Sequence, residues 1–268
     1  MTKLLNGTEL AGFIKQRQAH EVRRLRQANG IQPKLAIVVT IDHPVINVYV
    51  RLKKQYGADI LVDVDIYNVS QPEVPELLNK LNSDDSVHGV ITQLPLEIPE
   101  QTEEIVNLVS AEKDVDALGS KAIYEPATPM AILWLLSGYN VDLTGKHILL
   151  IGRGKLVGAP LGRMLVSSGH EVAIADRNTK DLKAECLKAD VIITAAGSPA
   201  LLFPNMVKHG AVVVDAGVAS EDGKTVGDVA SELYERDDLI ITPAKGGVGP
   251  LTVCALFDNV IRAARKQS

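Results

Sequence analysis

Cysteine is almost missing from this sequence: 268 residues carry two, Cys186 and Cys254. Two thiols that far apart build neither a disulfide framework nor a thiolate metal cluster, and they fit a reducing compartment. Aromatic residues are also scarce, at 4% of the chain. The core must therefore be aliphatic, drawn from a hydrophobic fraction of 46%, which is too high for a disordered chain. No apolar run is long enough to span a bilayer. The start, Met1-Thr2-Lys3-Leu4-Leu5-Asn6-Gly7, lacks the apolar region of a signal peptide. Positive charge is not in excess, since 28 Lys and Arg face 33 Asp and Glu for a net charge of −5. That balance argues against a dedicated nucleic-acid binder. His20, His43, His88, His147, His170 and His209 show no metal-ligand spacing. No G-x-S-x-G or Cys–His signal marks a covalent hydrolase. The expectation is a cytoplasmic protein of one or two domains, with no membrane, metal or nucleic-acid partner.

What is present is alternation. Thr8 is the expected cap of a first helix that stops at Asn29-Gly30. Short runs rich in β-branched residues predict strands at 35–40, 60–67 and 87–93. Helical stretches fall between and after them, at about 45–56 (stopped by Gly57), 75–82 and 102–109. The segment 118–129, with Gly119, Pro126 and Pro129, reads as an inter-domain connection. After a helix near 130–136 a second series begins, with strands at 147–151, 171–175, 191–195, 211–215 and 239–241. A final helix runs from about Pro250 to Lys266, with proline in its first turn. Repeated βαβ units require a mostly parallel sheet covered by helices, so the fold class is α/β in two domains.

The segment 149–158 reads as strand, glycine turn and helix start. Gly152 permits a tight turn, Gly154 keeps a Cβ away from an approaching pyrophosphate, and Gly158 lets the helix pack on the sheet. The spacing G-x-G-x-x-x-G is one residue longer than the common fingerprint, and in isolation such a pattern is an ordinary strand–helix turn. Here the next strand ends some twenty residues on, at Asp176-Arg177, where a ribose-reading residue belongs. Asp176 favours NAD, whereas Arg177 and Arg153 favour the 2′-phosphate of NADP. NADP is the expected cofactor and NAD the alternative. Lys155 completes the set of cofactor candidates.

Tyr49 and Lys53 lie four apart, on one face if the segment is helical. A ring beside an ammonium suits a flat heterocycle, with the lysine as proton donor or acceptor once burial lowers its pKa. The plain alternative is an amphipathic surface. Gln93 closes a predicted strand just before Leu94-Pro95, at the carboxyl end where α/β sheets contact ligands. In Lys113-Asp114-Val115-Asp116 one carboxylate suits an amino-pyrimidine edge and the other a turn cap. Gly246, Gly247 and Pro250 form a second glycine-rich turn, either a connector or a place where backbone approaches a ligand.

Taken together, these segments resemble the bifunctional methylenetetrahydrofolate dehydrogenase/methenyltetrahydrofolate cyclohydrolase (FolD) family. The resemblance spans nearly the whole chain. It runs through Leu5-Asn6-Gly7, Tyr49-Val50-x-x-Lys53, the segment 89–96, Lys113-Asp114-Val115-Asp116 and Pro126-Ala127-Thr128-Pro129. It continues through 152–158, 207–211, Gly227-Asp228-Val229 and 246–252. It implies a folate/catalytic domain of residues 1–118 plus 250–268, a Rossmann-like NAD(P)-binding domain of 119–249, and a folate cleft between them. It implies that Tyr49 stacks on folate, Lys53 is the general acid/base, Gln93 orients Lys53 and Asp116 holds the pterin edge. Leu94, Pro95, Gly246, Gly247 and Pro250 are the further expected substrate contacts. The implied reactions are oxidation of 5,10-methylenetetrahydrofolate with NADP and hydrolysis of the methenyl product. The implied assembly is a homodimer.

The chain departs from the family pattern on the folate side. Ile46 replaces a serine, Ala117 a glycine, Ala127 a cysteine, and Lys245 the proline that opens the second glycine turn. The segment between Asp116 and Pro126 is also short. A diverged binding paralogue, or a dehydrogenase for another pterin or a small acid, are the competing readings.

Overall fold

The computed structural model describes residues 3–221 and 224–266. In chain order the elements are β1 (Lys3–Leu4), α1 (Gly7–Asn29), β2 (Lys34–Val39), α2 (Pro44–Asp59), β3 (Asp63–Asn68), α3 (Val74–Ser83), β4 (Gly89–Thr92), α4 (Thr102–Val106) and α5 (Ala127–Gly138). Then follow β5 (Ile148–Ile151), α6 (Gly158–Ser167), β6 (Val172–Ala175), α7 (Leu182–Lys188), β7 (Val191–Thr194), β8 (Val212–Asp215), β9 (Ala219–Glu221), β10 (Lys224–Val226), β11 (Ile240–Ile241) and α8 (Val248–Lys266).

The chain divides into two compact units. One comprises Met1–Ala11 and Thr128–Thr252, the other Gly12–Ala127 and Val253–Ser268. The chain start therefore groups with the later residues, unlike the division expected from the sequence. The cause is local pairing: β1 lies parallel to β11, and the Thr8 N–H donates to the Gly246 carbonyl at 2.9 Å. Both α1 and α8 begin in the 128–252 unit and continue in the other.

In the unit of Gly12–Ala127 and Val253–Ser268, three parallel strands run in the order β3-β2-β4. β2 buries five of its six residues, as a central strand with both faces covered must. α2 starts at His43, whose ring accepts from the Val45 N–H, with Pro44 at the first helical position. Gly57 does not end this helix. It is buried inside it, because a Cβ there would meet a Val64 methyl at 2.4 Å and the Val62 carbonyl at 2.9 Å. The glycine serves helix–sheet packing. α3 buries Val74, Leu78 and Leu81, spaced i, i+4, i+7, against Ala36, Val38 and Val90. Each fully buried leucine there contributes on the order of 2 kcal/mol.

In the other unit the sheet is six-stranded, in the order β1-β11-β8-β7-β5-β6, and every pairing is parallel. β5 has β6 on one side and β7 on the other, so the strand order reverses there. The crevice outside the carboxyl end of such a strand is where open α/β sheets bind ligands. β1 and the β9–β10 hairpin were not foreseen. A two-residue strand such as β1 has no period of its own and exists because β11 pairs with it. The first helix is capped by Asn6, whose side chain accepts from the Glu9 N–H at 3.2 Å, rather than by Thr8.

Among the described residues no helix is long and apolar enough to cross a membrane. Cys186 and Cys254 are both buried, and Cys254 Sγ accepts from the Tyr56 hydroxyl at 3.2 Å.

Candidate active site

α2 follows the central strand β2 and carries Tyr49 and Lys53; β4, beside β2, runs directly into Gln93. The Gln93 N–H donates to the Val38 carbonyl at 2.9 Å, which ties the residue after β4 to the end of β2. Lys53 Nζ then donates to Gln93 Oε1 at 2.7 Å. Gln93 Nε2 donates to the Leu94 carbonyl at 2.9 Å, so the amide is turned with its oxygen toward the lysine. The next peptide bond, Leu94–Pro95, is cis. Tyr49 lies one helical turn before Lys53 and is exposed, as a ring kept for a ligand would be.

Burial pushes the Lys53 pKa down, and the Asp116 carboxylate opposes that shift. Burial pushes the Asp116 carboxyl up, and Lys53 opposes that in turn. Low polarity thus disfavours both charges, and each partner's charge favours the other's.

The two carboxylates of the 113–116 segment have separate tasks. Asp114 is buried and accepts from the Gly119 N–H at 2.8 Å and the Leu118 N–H at 3.3 Å. It holds the turn. Lys113 is buried and donates to the carbonyls of Leu81 and Asp84 at 2.9 and 2.7 Å, clipping the end of α3. Asp116 makes no hydrogen bond among the described residues and remains open toward Lys53. Ala117, just after it, has a φ of 56°. That left-handed backbone explains why a glycine suits the position. Ile46 is buried in the core on α2, and Ala127 is buried at the start of α5.

In the 128–252 unit, β5 ends in the glycine turn. Gly152 has a φ of 111°, and a Cβ on it would lie 2.4 Å from the Ala195 carbonyl oxygen. A Cβ on Gly158 would lie 2.2 Å from the Gly152 oxygen. Gly154 has open space where its Cβ would be. Two glycines are thus required by the fold itself, while the third leaves an accessible backbone. Arg153 and Lys155 are exposed on this turn. At the end of β6, Asp176 Oδ1 accepts from the Asn178 N–H at 2.9 Å, while Arg177 is exposed. Gly246 and Gly247 face the chain start. A Cβ on Gly246 would meet Thr8 Oγ1 at 2.5 Å, and a Cβ on Gly7 would meet the Gly247 oxygen at 1.7 Å. Pro250 lies in the first turn of α8.

One cluster was missed by sequence reasoning. At the carboxyl ends of β7 and β8, Asp215 accepts from Thr194 Oγ1 and from the N–H groups of Gly217, Asp228 and Val229, all within 3.1 Å. Asp228 is fully buried and accepts from the Ala196 and Ser198 N–H groups at 2.7 Å each. Gly217 and Gly227 give these carboxylates room, since a Cβ on either would lie about 2 Å from one of them. The signal available in the sequence was Gly227-Asp228 itself, a glycine beside an acid with no obvious partner.

A glycine turn at a strand-order reversal, carried on one chain with a half-buried Lys53–Gln93 contact and Asp116 as the opposing charge, is the arrangement of a dinucleotide-dependent α/β enzyme. Residues 5–116 match the family model of the tetrahydrofolate dehydrogenase/cyclohydrolase catalytic domain, and residues 126–268 match that of the NAD(P)-binding domain. The chain belongs to the tetrahydrofolate dehydrogenase/cyclohydrolase family. It is 36% identical to the bifunctional protein FolD of Acetivibrio thermocellus, over 99% of this chain and 98% of that one. The crystal structure of the bifunctional enzyme FolD from Campylobacter jejuni aligns with a TM-score of 0.92 at 35% identity, covering 100% of both chains. The Trypanosoma brucei enzyme, solved with NADP cofactor and inhibitor, aligns with a TM-score of 0.91 at 27% identity, over 99% of this chain and 98% of that one.

Proposed function

We infer that the chain oxidises 5,10-methylenetetrahydrofolate to 5,10-methenyltetrahydrofolate with NADP, and hydrolyses that product to 10-formyltetrahydrofolate. The observation that carries this reading is the contact of a half-buried Lys53 with Gln93 at 2.7 Å, with Asp116 as the opposing charge. Full-length relatives named as bifunctional FolD proteins support it.

Lys53 is the general acid/base. Its lowered pKa gives it a neutral fraction able to take a proton from water attacking the methenyl carbon. A neutral lysine also avoids repelling the cationic methenyl group. Gln93 holds the amine in place and leaves its other hydrogen and its lone pair for substrate. Tyr49 stacks on the pterin. Asp116 accepts from the N–H groups of the pyrimidine edge, which is the ordinary use of a carboxylate with open oxygens. Leu94, Pro95, Gly246, Gly247 and Pro250 are the further substrate contacts in this reading.

The turn of Gly152, Arg153, Gly154, Lys155 and Gly158 fits a dinucleotide, because its backbone is tight and its middle glycine is unobstructed. NADP held there would supply the hydride acceptor for the oxidation. Asp176 already uses an oxygen in its own turn, and Arg153 and Arg177 are exposed cations; both facts favour a 2′-phosphate and hence NADP over NAD. In this reading residues 1–118 with 250–268 serve catalysis and 119–249 the cofactor. A homodimer is supported by β6, an edge strand with Ile174 exposed beside the exposed Val166 of α6. Two buried cysteines kept as thiols fit the cytoplasm.

The test is turnover. Purified protein given 5,10-methylenetetrahydrofolate should form the methenyl product with NADP, at a kcat/KM above that with NAD. Folded protein with no turnover on either cofactor would remove the enzyme reading in favour of a binding paralogue.

A further inference from the structure

The segment that carries Asp116 is short, and its two ends are held by one side chain. Asn259, on α8, is fully buried. Its Nδ2 donates to the Val115 carbonyl at 2.9 Å and to the Glu125 carbonyl at 2.9 Å. Both hydrogens of one amide are therefore spent on the residue before Asp116 and on the last residue before Pro126. The same helix grips the segment again through Tyr124. The Arg262 guanidinium lies 5.7 Å and the Lys266 ammonium 5.2 Å from the centroid of that ring. Tyr124 in turn donates its hydroxyl to the Glu112 carbonyl at 3.0 Å, which closes the segment on itself. On the other side, the Val90 N–H donates to the Lys113 carbonyl at 2.7 Å, which fastens the segment's start to β4.

A carboxylate with no hydrogen bond of its own is placed only by its backbone. The backbone on either side of Asp116 is fixed by Asp114 within the segment and by Asn259 from outside it. We propose that Asn259 is a positioning residue for substrate, setting the place of Asp116 by clamping the carbonyls of Val115 and Glu125. The inference rests on the reading of Asp116 as the pterin-edge acceptor. An amide is suited to the task because it offers two N–H donors in one plane; no aliphatic side chain can bridge two carbonyls.

The clamp acts on binding and not on the proton-transfer group, so its loss should appear in KM for folate. Asn259→Asp keeps the shape and removes both donors. It should raise KM for 5,10-methylenetetrahydrofolate about tenfold, the size expected for roughly one to two net hydrogen bonds. The kcat and the KM for NADP should stay within about twofold. Tyr124→Phe, which loses only the hydroxyl and keeps the stacked ring, should raise the same KM about threefold. It also decides the matter if Asn259→Asp does not fold. Unchanged folate KM in the folded variants would overturn the clamp, as would a matching rise in KM for NADP, which would mark general loosening. Wild-type protein that neither binds nor turns over folate would instead sink the functional reading itself, before any variant is compared.

Discussion

Asp116 and Asp228 are both carboxylates in surroundings of low polarity, one in each compact unit, and they are treated oppositely. Asp228 is saturated: two backbone N–H groups bind it at 2.7 Å, and Asp215 beside it takes several donors of its own. Asp116 has a lysine as its opposing charge and no hydrogen bond among the described residues. Burial raises the pKa of both, but only Asp228 has fixed dipoles that pull it back down. The saturated carboxylate is scaffold, since it ties the loop after β7 to the residues that follow β10. The open one is the carboxylate we propose for substrate, since its unused lone pairs are what a ligand can take. A carboxylate cannot be assigned to one role or the other by burial alone; its partners decide.

The comparison is broken most severely at Lys53. Lys53→Met removes the proposed proton-transfer group and should lower hydrolysis of methenyltetrahydrofolate by about 10²–10⁴-fold, with urea unfolding little changed; hydrolysis at the wild-type rate would show that another group is the base. Asp228→Ala has the reverse signature. It takes the acceptor from two backbone N–H groups and should cost about 1–3 kcal/mol of stability, read as a lower urea midpoint at constant m; a midpoint within experimental scatter of wild type would deny Asp228 its scaffold role.

Proton dependence sharpens the contrast. The Lys53 pKa is depressed in the folded protein, so the native state binds fewer protons than the unfolded chain between the folded value and the ordinary lysine value. Its burial penalty is full below the folded pKa and relieved as pH rises through it. For Asp116, with a raised folded pKa, the penalty is full above that value and relieved as pH falls. Hydrolysis that needs the neutral amine should therefore rise with pH through an apparent pKa below that of an ordinary lysine. Gln93→Glu, which puts a carboxylate on the amine, should move the rise to higher pH. A rise at the same pH in that variant would mean that Lys53 does not control it. The smallest effect is expected at Ala117, whose left-handed backbone is a mild strain. Ala117→Gly should stabilise by about 0.5–1 kcal/mol, and a lower midpoint would show that the methyl group packs usefully.

Much of this was legible in advance, for definite reasons. Gly152 and Gly158 were readable because a glycine turn between an apolar strand and a helix has few uses. Lys53 and Gln93 were readable through the family pattern, although spacing alone left an amphipathic surface open. Gly57 was misread as a stop, because its reason for being glycine, the Val64 side chain, is on another strand. Thr8 was misread as a cap because Asn6, two residues earlier, also has an oxygen in reach. Asp215 and Asp228 were not assigned at all, since their donors come from loops on different strands.

The sequence by itself determined the α/β alternation, the aliphatic core, the glycine turn and the family, because each is written in local period, composition or a short contiguous motif. Only the tertiary structure decided that Asp114 holds a turn while Asp116 stays open, that the first residues join the second sheet, and that Asn259 spans Val115 and Glu125. The first is a choice between two carboxylates two residues apart, which the folded backbone makes; the last two depend on hydrogen bonds between groups distant along the chain. No window of sequence contains both partners of such a bond; packing alone brings them within 3 Å.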